Sequence, residues 1–549
     1  MELARLIEAL SRPAAYPYSV EGVEVRQTHI SAVFLAGPYA YKVKKPVNPG
    51  FLDFSTLAKR FHYCQEEVRL NRRVAPQVYL GVVPVVRSRD GLRFEGEGEA
   101  VEWAVKMQRL PDDATLLEHL RRGEVGAPLV EALAGRIASF HRGVEANGRT
   151  AAFGRFEAVA RIVLDIFAQA APQVGTTVSG AVFGRVKALA EEALGRLRPL
   201  IEARAARGMP RDCHGDLHLD HVYYFPDRGP PADLVIIDCI EFNERFRFID
   251  PVADMAFPAM DLTFCGRRDL ARAFADAYFR AAGDEEGKAL LPLYTAYRAT
   301  VRGLVEGLEL AEKEVPEAER AAALGRARAH WLLALTELEG PERKPCLGLV
   351  AGLPGTGKSR LARGLAASGG FTVVRSDVVR KELAGLPAQG PAPPHLREAL
   401  YGPEWNERTY AECLRRAEAL LFAGRRVLVD ATFREDRQRQ AFLGAAVWWG
   451  VPAVVLLCQA EPETVRRRLE TRQGDASDAD WPIYLQVAAN WEEPSPATQR
   501  VLHPVSTEGG SEQALSRALK ALRQSGLWRL SPRHDQPLAP VPSQTGEGT

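Results

Sequence analysis

The chain has 549 residues, 46% of them hydrophobic and 26% charged, with 71 lysines and arginines against 70 acids. That length exceeds what one hydrophobic core serves, so roughly two to four domains are expected, and a net charge of +1 excludes a whole-chain electrostatic case for nucleic acid or membrane. Seven scattered cysteines, odd in number and without a C-x-x-C pair, indicate neither a disulfide framework nor a zinc site and fit a reducing cytoplasm.

Met1-Glu2-Leu3-Ala4-Arg5-Leu6 opens an amphipathic pattern containing acids, and no apolar run approaches a membrane span or signal core. A soluble, unprocessed cytoplasmic protein is expected. Val33-Phe34-Leu35 and Tyr39-Ala40-Tyr41-Lys42-Val43-Lys44 flank Ala36-Gly37-Pro38 as a hairpin would, and strand alternation puts Lys42 and Lys44 on one face. A helix is expected over Tyr63–Val74, carrying Glu66 and Glu67. Short strands continue to about Met107, and the stretch from Leu116 to Leu338 reads as mostly helical. A small β-rich lobe followed by a larger helical lobe is the implied α+β arrangement.

Within that helical stretch, Cys213-His214-Gly215-Asp216-Leu217-His218-Leu219-Asp220-His221 precedes the apolar run Val222-Tyr223-Tyr224-Phe225, and Leu234-Val235-Ile236-Ile237 leads to Asp238. Two acids on loops beside apolar strands suit phosphoryl transfer, one receiving an alcohol proton and the other binding metal. Gly340-Pro341-Glu342-Arg343-Lys344-Pro345 is a Pro/Gly/charged connector, which divides the chain into 1–340, a linker 341–345, a second domain 346–528 and a polar tail 529–549 expected to be disordered.

The second domain alternates apolar and helical runs, with strands expected at Leu347–Ala351, Phe371–Arg375, Arg426–Asp430 and Val451–Cys458; this is the pattern of a parallel α/β sheet. After the first strand comes Gly352-Leu353-Pro354-Gly355-Thr356-Gly357-Lys358-Ser359, which satisfies G-x-x-x-x-G-K-[ST]. Its backbone N–H groups can cradle the phosphates of ATP, Lys358 can reach the β- and γ-phosphates, and the Ser359 hydroxyl can bind Mg²⁺. Asp377 closes the next strand and stands three residues before Arg380, a carboxylate for an acceptor proton beside a cation for substrate. Asp430 ends a buried strand as a second Mg²⁺-orienting acid does, with Thr432, Arg434 and Arg437 in the loop beyond. Arg468 and Arg472 share a helical face before the polar run Gly474–Asp480, as in a lid whose arginines close over a transferred phosphoryl group.

From Lys344 to Trp528 these motifs resemble the P-loop small-molecule and polynucleotide kinases, including the zeta-toxin and gluconate kinase kinds. The resemblance implies that Asp377 contacts or deprotonates the acceptor hydroxyl and that Arg472 belongs to the lid. From about residue 25 to 335, His214-Gly215-Asp216-Leu217-His218 and Asp250-Pro251-x-x-Asp254-Met255-Ala256 resemble the aminoglycoside phosphotransferase and choline kinase group of protein-kinase-like folds. That resemblance implies Asp216 as catalytic acid, Asp238 as metal ligand and Asp254 as support for the catalytic loop. It also implies Lys42, or Lys44, as the phosphate-binding lysine, Glu66 as its partner with Glu67 as the alternative, and Met107–Leu110 as the adenine hinge. His221 stands where the group has a metal-binding Asn, and imidazole suits softer ions than Mg²⁺.

Both motif sets in this order resemble bacterial fusions of a phosphotransferase-like domain with a P-loop ATP-binding domain. The expected activity is transfer of the γ-phosphoryl of ATP, with Mg²⁺, to a small-molecule hydroxyl. Alternatives are a ligand-binding, regulatory first domain beside an ATPase switch, or a polynucleotide 5′-hydroxyl kinase; no aromatic-basic stripe favours nucleic acid. Acceptor identity, coupling of the domains and oligomeric state are not encoded in any motif.

Overall fold

The computed structural model describes residues 3–529 other than 51, 89–90, 311–315, 389, 391, 472–476 and 478. Arg472, most of the run Gly474–Asp480 and the tail beyond Arg529 therefore lie outside the described residues. One compact unit comprises Met1–Pro172 with Lys187–Leu304, and the other Gln173–Val186 with Val305–Thr549. The connector at 341–345 thus falls inside the second unit, and so does the helix Glu317–Leu338, which the sequence reading placed in 1–340.

In the first unit the strands β1 (Val23–Gln27), β2 (Ser31–Ala36), β3 (Tyr39–Lys44), β4 (Tyr79–Ser88), β5 (Gly91–Phe94) and β6 (Ala100–Gln108) form an antiparallel sheet of order β1-β2-β3-β6-β4-β5. The hairpin pairs Ala36 with Tyr39 across Gly37, whose φ of 55° a side chain would resist. Alternation then sorts β3. Tyr41 and Val43 pack with Phe34, Phe94, Leu6 and Leu10 under the N-terminal helix Leu3–Leu10, so Lys42 and Lys44 face the opposite side. On that side lies the helix Leu57–Asn71, capped by the Thr56 hydroxyl accepting from Lys59 N–H, with Cys64 and Val68 against Val105. It starts earlier than Tyr63 because Thr56 supplies the cap.

The remainder of this unit is helical apart from two small antiparallel pairs, β7 (Arg211–Asp212) with β10 (Phe248–Ile249) and β8 (Val222–Tyr224) with β9 (Leu234–Ile236). They hold the His214–His221 loop and Asp238 in place. Below them Arg204, 1% exposed, makes bidentate bonds of 2.6–2.9 Å to both Asp250 and Asp284. Asp250 also caps the helix Pro251–Phe264 by accepting from Val252 N–H.

The second unit holds β11 (Cys346–Ala351), β12 (Phe371–Arg375), β13 (Arg426–Asp430), β14 (Ala453–Gln459) and β15 (Leu502–Ser506) in a wholly parallel sheet of order β12-β13-β11-β14-β15. The four expected strands are present, and β15 is a fifth the sequence did not reveal. It sits at the edge, paired with β14 alone, where Pro504 needs no second ladder. Helices Lys358–Gly369 and Ser511–Gln524 bury Leu361, Leu365, Ala518 and Leu522 on one face of the sheet.

Arg204→Met strands two buried carboxylates without their cation. We expect it to destabilise the first unit by about 3–5 kcal/mol, read as a lowered melting transition.

Candidate active sites

The sheet of the second unit gathers its chemistry at the carboxyl end of β11. Gly352 at φ 135° turns the chain out of β11, and a Cβ there would collide with the carbonyl oxygen of Cys458. The loop is closed by Thr356 Oγ1 and Lys358 Nζ, which donate to the Leu353 carbonyl at 2.7 and 2.9 Å. Gly357 then caps the helix Lys358–Gly369, so Gly352–Ser359 leads into a helix N-terminus, whose free backbone N–H groups suit an anion.

Register brings the acids to this loop. Asp430 pairs with Val350 on one side and Arg375 on the other, next to the start of the P-loop. Arg375 donates from Nη2 to Ser359 Oγ at 3.2 Å, and its Nε is 3.3 Å from Asp430 Oδ2. A cation thus already bridges the hydroxyl and carboxylate expected to hold Mg²⁺, so this oxygen pair fits a hard divalent ion. Asp377, at the N-terminal turn of the helix Ser376–Leu383, is partly buried near Asp430, Arg380, Lys358 and Arg375. Burial first, and the Asp430 charge second, raise its pKa above the ordinary 3.8. A carboxylate so adjusted is a stronger proton acceptor.

Arg468 also reaches this edge. Its Nη2 donates to the Thr507 carbonyl at 2.8 Å, and Thr507 Oγ1 donates to the Thr356 carbonyl at 2.7 Å. Arg380 differs from its expected role as a substrate clamp: it is 5% exposed, and it donates to the Leu400 carbonyl and Asn406 Oδ1, so it joins two helices. Arg434 and Arg437 both pair with Glu435. Sequence reasoning missed Arg375, visible two residues before Asp377, and Thr507, which follows the unrecognised β15.

In the first unit Lys42 Nζ lies 2.6 Å from Asp238 Oδ1 and 2.9 Å from Glu67 Oε1. Lys44 Nζ meets the other Glu67 oxygen at 2.6 Å and also bonds Glu241. The partner acid is therefore Glu67 and not Glu66, whose carboxylate pairs with Arg69 at 2.7 Å on the outer face. The spacing Cys64-Glu67-Val68-Asn71 marks that buried face and is the signal for Glu67. Burial opposes the charge of Lys42, but Asp238, Glu67 and Glu241 outweigh it and hold its pKa well above the usual value.

Asp254 holds the His214–Gly215 backbone. One oxygen accepts from Gly215 N–H at 2.8 Å, and the other from His214 N–H at 3.0 Å and from His141 Nε2 at 3.0 Å. Asp216 Oδ2 sits 3.6 Å from His218 Nε2 and 3.7 Å from His221 Nδ1. Burial opposes its ionisation, yet the two histidines and Arg302 keep it below the ordinary carboxylate range. Asp238 adopts φ 67°, rare for a non-glycine residue, and its N–H donates to Tyr79 Oη at 3.1 Å. His221 lies between the two acids, its Nε2 3.7 Å from Asp238 Oδ2. Mg²⁺ prefers oxygen, so the imidazole fits that hard ion poorly.

Two outcomes follow. Glu67→Gln leaves two ammonium groups without their shared carboxylate and should cost about 3 kcal/mol or more, whereas Glu66→Gln should cost less than about 1 kcal/mol; denaturant titration separates them. Because the Asp377 pKa is raised on folding, its contribution falls as pH rises from 3.8 through the folded value. Asp377→Asn should therefore raise the melting temperature at pH 7.5, with the gain shrinking as pH approaches 3.8.

Residues 347–493 match the family described as AAA domain. Among solved structures, amicoumacin kinase in complex with AMP-PNP, Ca²⁺ and Ami is 12% identical, covering 60% of this chain and 93% of its own, with a TM-score of 0.37. A gluconokinase from Sinorhizobium meliloti is 14% identical, covering 33% and 92%, with a TM-score of 0.25. At that similarity neither carries an argument about activity. The uncharacterized protein Rv2004c of Mycobacterium tuberculosis is 32% identical over 512 residues, spanning 93% of this chain and 98% of its own. This chain belongs to the same protein family as Rv2004c, along nearly its whole length.

Proposed function

We propose that the second unit is an ATP-dependent kinase that phosphorylates a hydroxyl of a small molecule. The observation that carries this reading is the convergence of Gly352–Ser359, Asp430 and Asp377 at one edge of the sheet, where burial raises the Asp377 pKa and makes its carboxylate a stronger proton acceptor. ATP would lie with its phosphates in the loop. Ser359 and Asp430 would hold Mg²⁺, which supplies charge neutralisation to the phosphates. Asp377 takes the acceptor proton as the new O–P bond forms and the bond from the γ-phosphorus to the ADP oxygen breaks. Lys358 and Arg468 would balance the charge spreading over the transferred group, a role the sequence pattern also offers Arg472.

The first unit reads as a second nucleotide site, with Lys42 held by Glu67 toward phosphate and Asp216 toward an acceptor. Seven free cysteines support a reducing compartment such as the cytoplasm, and no described helix is long and apolar enough to cross a membrane.

The test is transfer of labelled γ-phosphate by the full chain across sugars, nucleosides, aminoglycosides and oligonucleotides. A labelled small molecule is expected, with turnover reduced at least about 100-fold in Lys358→Ala. Free phosphate as sole product would make the second unit an ATPase switch, and a labelled oligonucleotide would make it a polynucleotide kinase.

A further inference from the structure

The facing groups of His221 and Asp238 are arranged as two ligands of one ion. His221 Nδ1 is 2.9 Å from the Asp216 carbonyl oxygen, and a carbonyl only accepts, so the ring proton sits on Nδ1 and the lone pair on Nε2. That lone pair is 3.7 Å from Asp238 Oδ2, while Asp238 Oδ1 is taken by Lys42 at 2.6 Å. The separation is too long for a hydrogen bond. It is close to the roughly 3.4 Å expected between two ligands each about 2.1 Å from a tetrahedral cation.

The surroundings hold the ring in this pose. An N–H to backbone carbonyl bond on the far nitrogen fixes the tautomer and orientation of a metal-binding histidine. The His218 ring lies against it, centroids 3.8 Å apart and planes 35° from parallel. One imidazole nitrogen with one carboxylate oxygen is a donor set that favours transition ions over Mg²⁺. A rival grouping of Asp216, His218 and His221 has ligand atoms within 4.8 Å of one another. Its nearest approach to Asp216 Oδ2 uses His221 Nδ1, which the Asp216 carbonyl already occupies.

We propose that the first unit carries a divalent transition-metal site at His221 Nε2 and Asp238 Oδ2, selective against Mg²⁺, with nucleotide phosphates filling its remaining positions. Only the phosphate ligands depend on reading this unit as a nucleotide site. The chemical class of the ion is that of Mn²⁺, Co²⁺ or Zn²⁺, each of which accepts imidazole nitrogen.

The experiment is pulsed electron paramagnetic resonance of Mn²⁺ bound to the full chain with AMP-PNP, in a Ser359→Ala, Asp430→Asn background that removes the P-loop cation. Nitrogen modulation from one directly bound imidazole is expected, lost in His221→Asn and His221→Gln and retained in His218→Gln. Affinity for Mn²⁺ should fall about tenfold or more in His221→Asn, and Mg²⁺ should then displace it more readily. No nitrogen modulation, equal loss in His218→Gln, or equal displacement by Mg²⁺ before and after His221→Asn would overturn the site. Phosphorus coupling reports the nucleotide separately: nitrogen modulation without it leaves the metal site standing and removes the nucleotide reading of this unit.

Discussion

The parallel register of β12, β13 and β11 is the constraint on which the second unit depends. It sets Arg375, Asp430 and Val350 in adjacent rows, so the P-loop leaves the sheet beside a carboxylate and a guanidinium. All strands point the same way, so their carboxyl ends open on one edge and the residues that follow them share it. Glycine at 352 is what lets the loop pass the Cys458 carbonyl and turn back over that edge. Ser359, Asp377 and Asp430 come from separate segments, and this edge brings them to one place.

The first unit reaches a comparable arrangement by different means. The two-residue period of β3 puts Lys42 and Lys44 on one face, and burial of Tyr41 and Val43 under the N-terminal helix decides which face that is. Glu67 divides its two oxygens between the lysines, and Asp238 and Glu241 add the remaining charge. Five acidic and basic side chains share this poorly solvated space, and loss of any one leaves its neighbours unpaired. Asp254 fixes the His214–Gly215 backbone by accepting from its two N–H groups, and His141 Nε2 meets the same carboxylate.

Short-range patterns made much of this legible. The Gly352–Ser359 spacing, the apolar runs before it and the hairpin around Gly37 are local, and each appears where its residues place it. Glu66 and Glu67 show where local reading stops. Neighbouring helical residues point about 100° apart, so the packing of Cys64 and Val68 had to select between them. Arg380 stands three residues beyond Asp377, yet its burial between Leu400 and Asn406 gives it a structural partner instead of a substrate. The strand β15 carries Pro504, which reads as a breaker and is tolerated only because pairing with β14 leaves that strand at an edge.

The sequence by itself determined the two motif sets, their order and the residue types available for phosphate, proton and metal, because these depend on spacing along the chain. Tertiary structure decided which of those residues meet. Glu67 over Glu66, Arg375 beside Ser359, Thr507 against Thr356 and His221 between two acids depend on which faces are buried and which strands lie adjacent. Those contacts join residues far apart in the chain, so a local period can mark a buried face, as at Glu67, but not the partner that meets it.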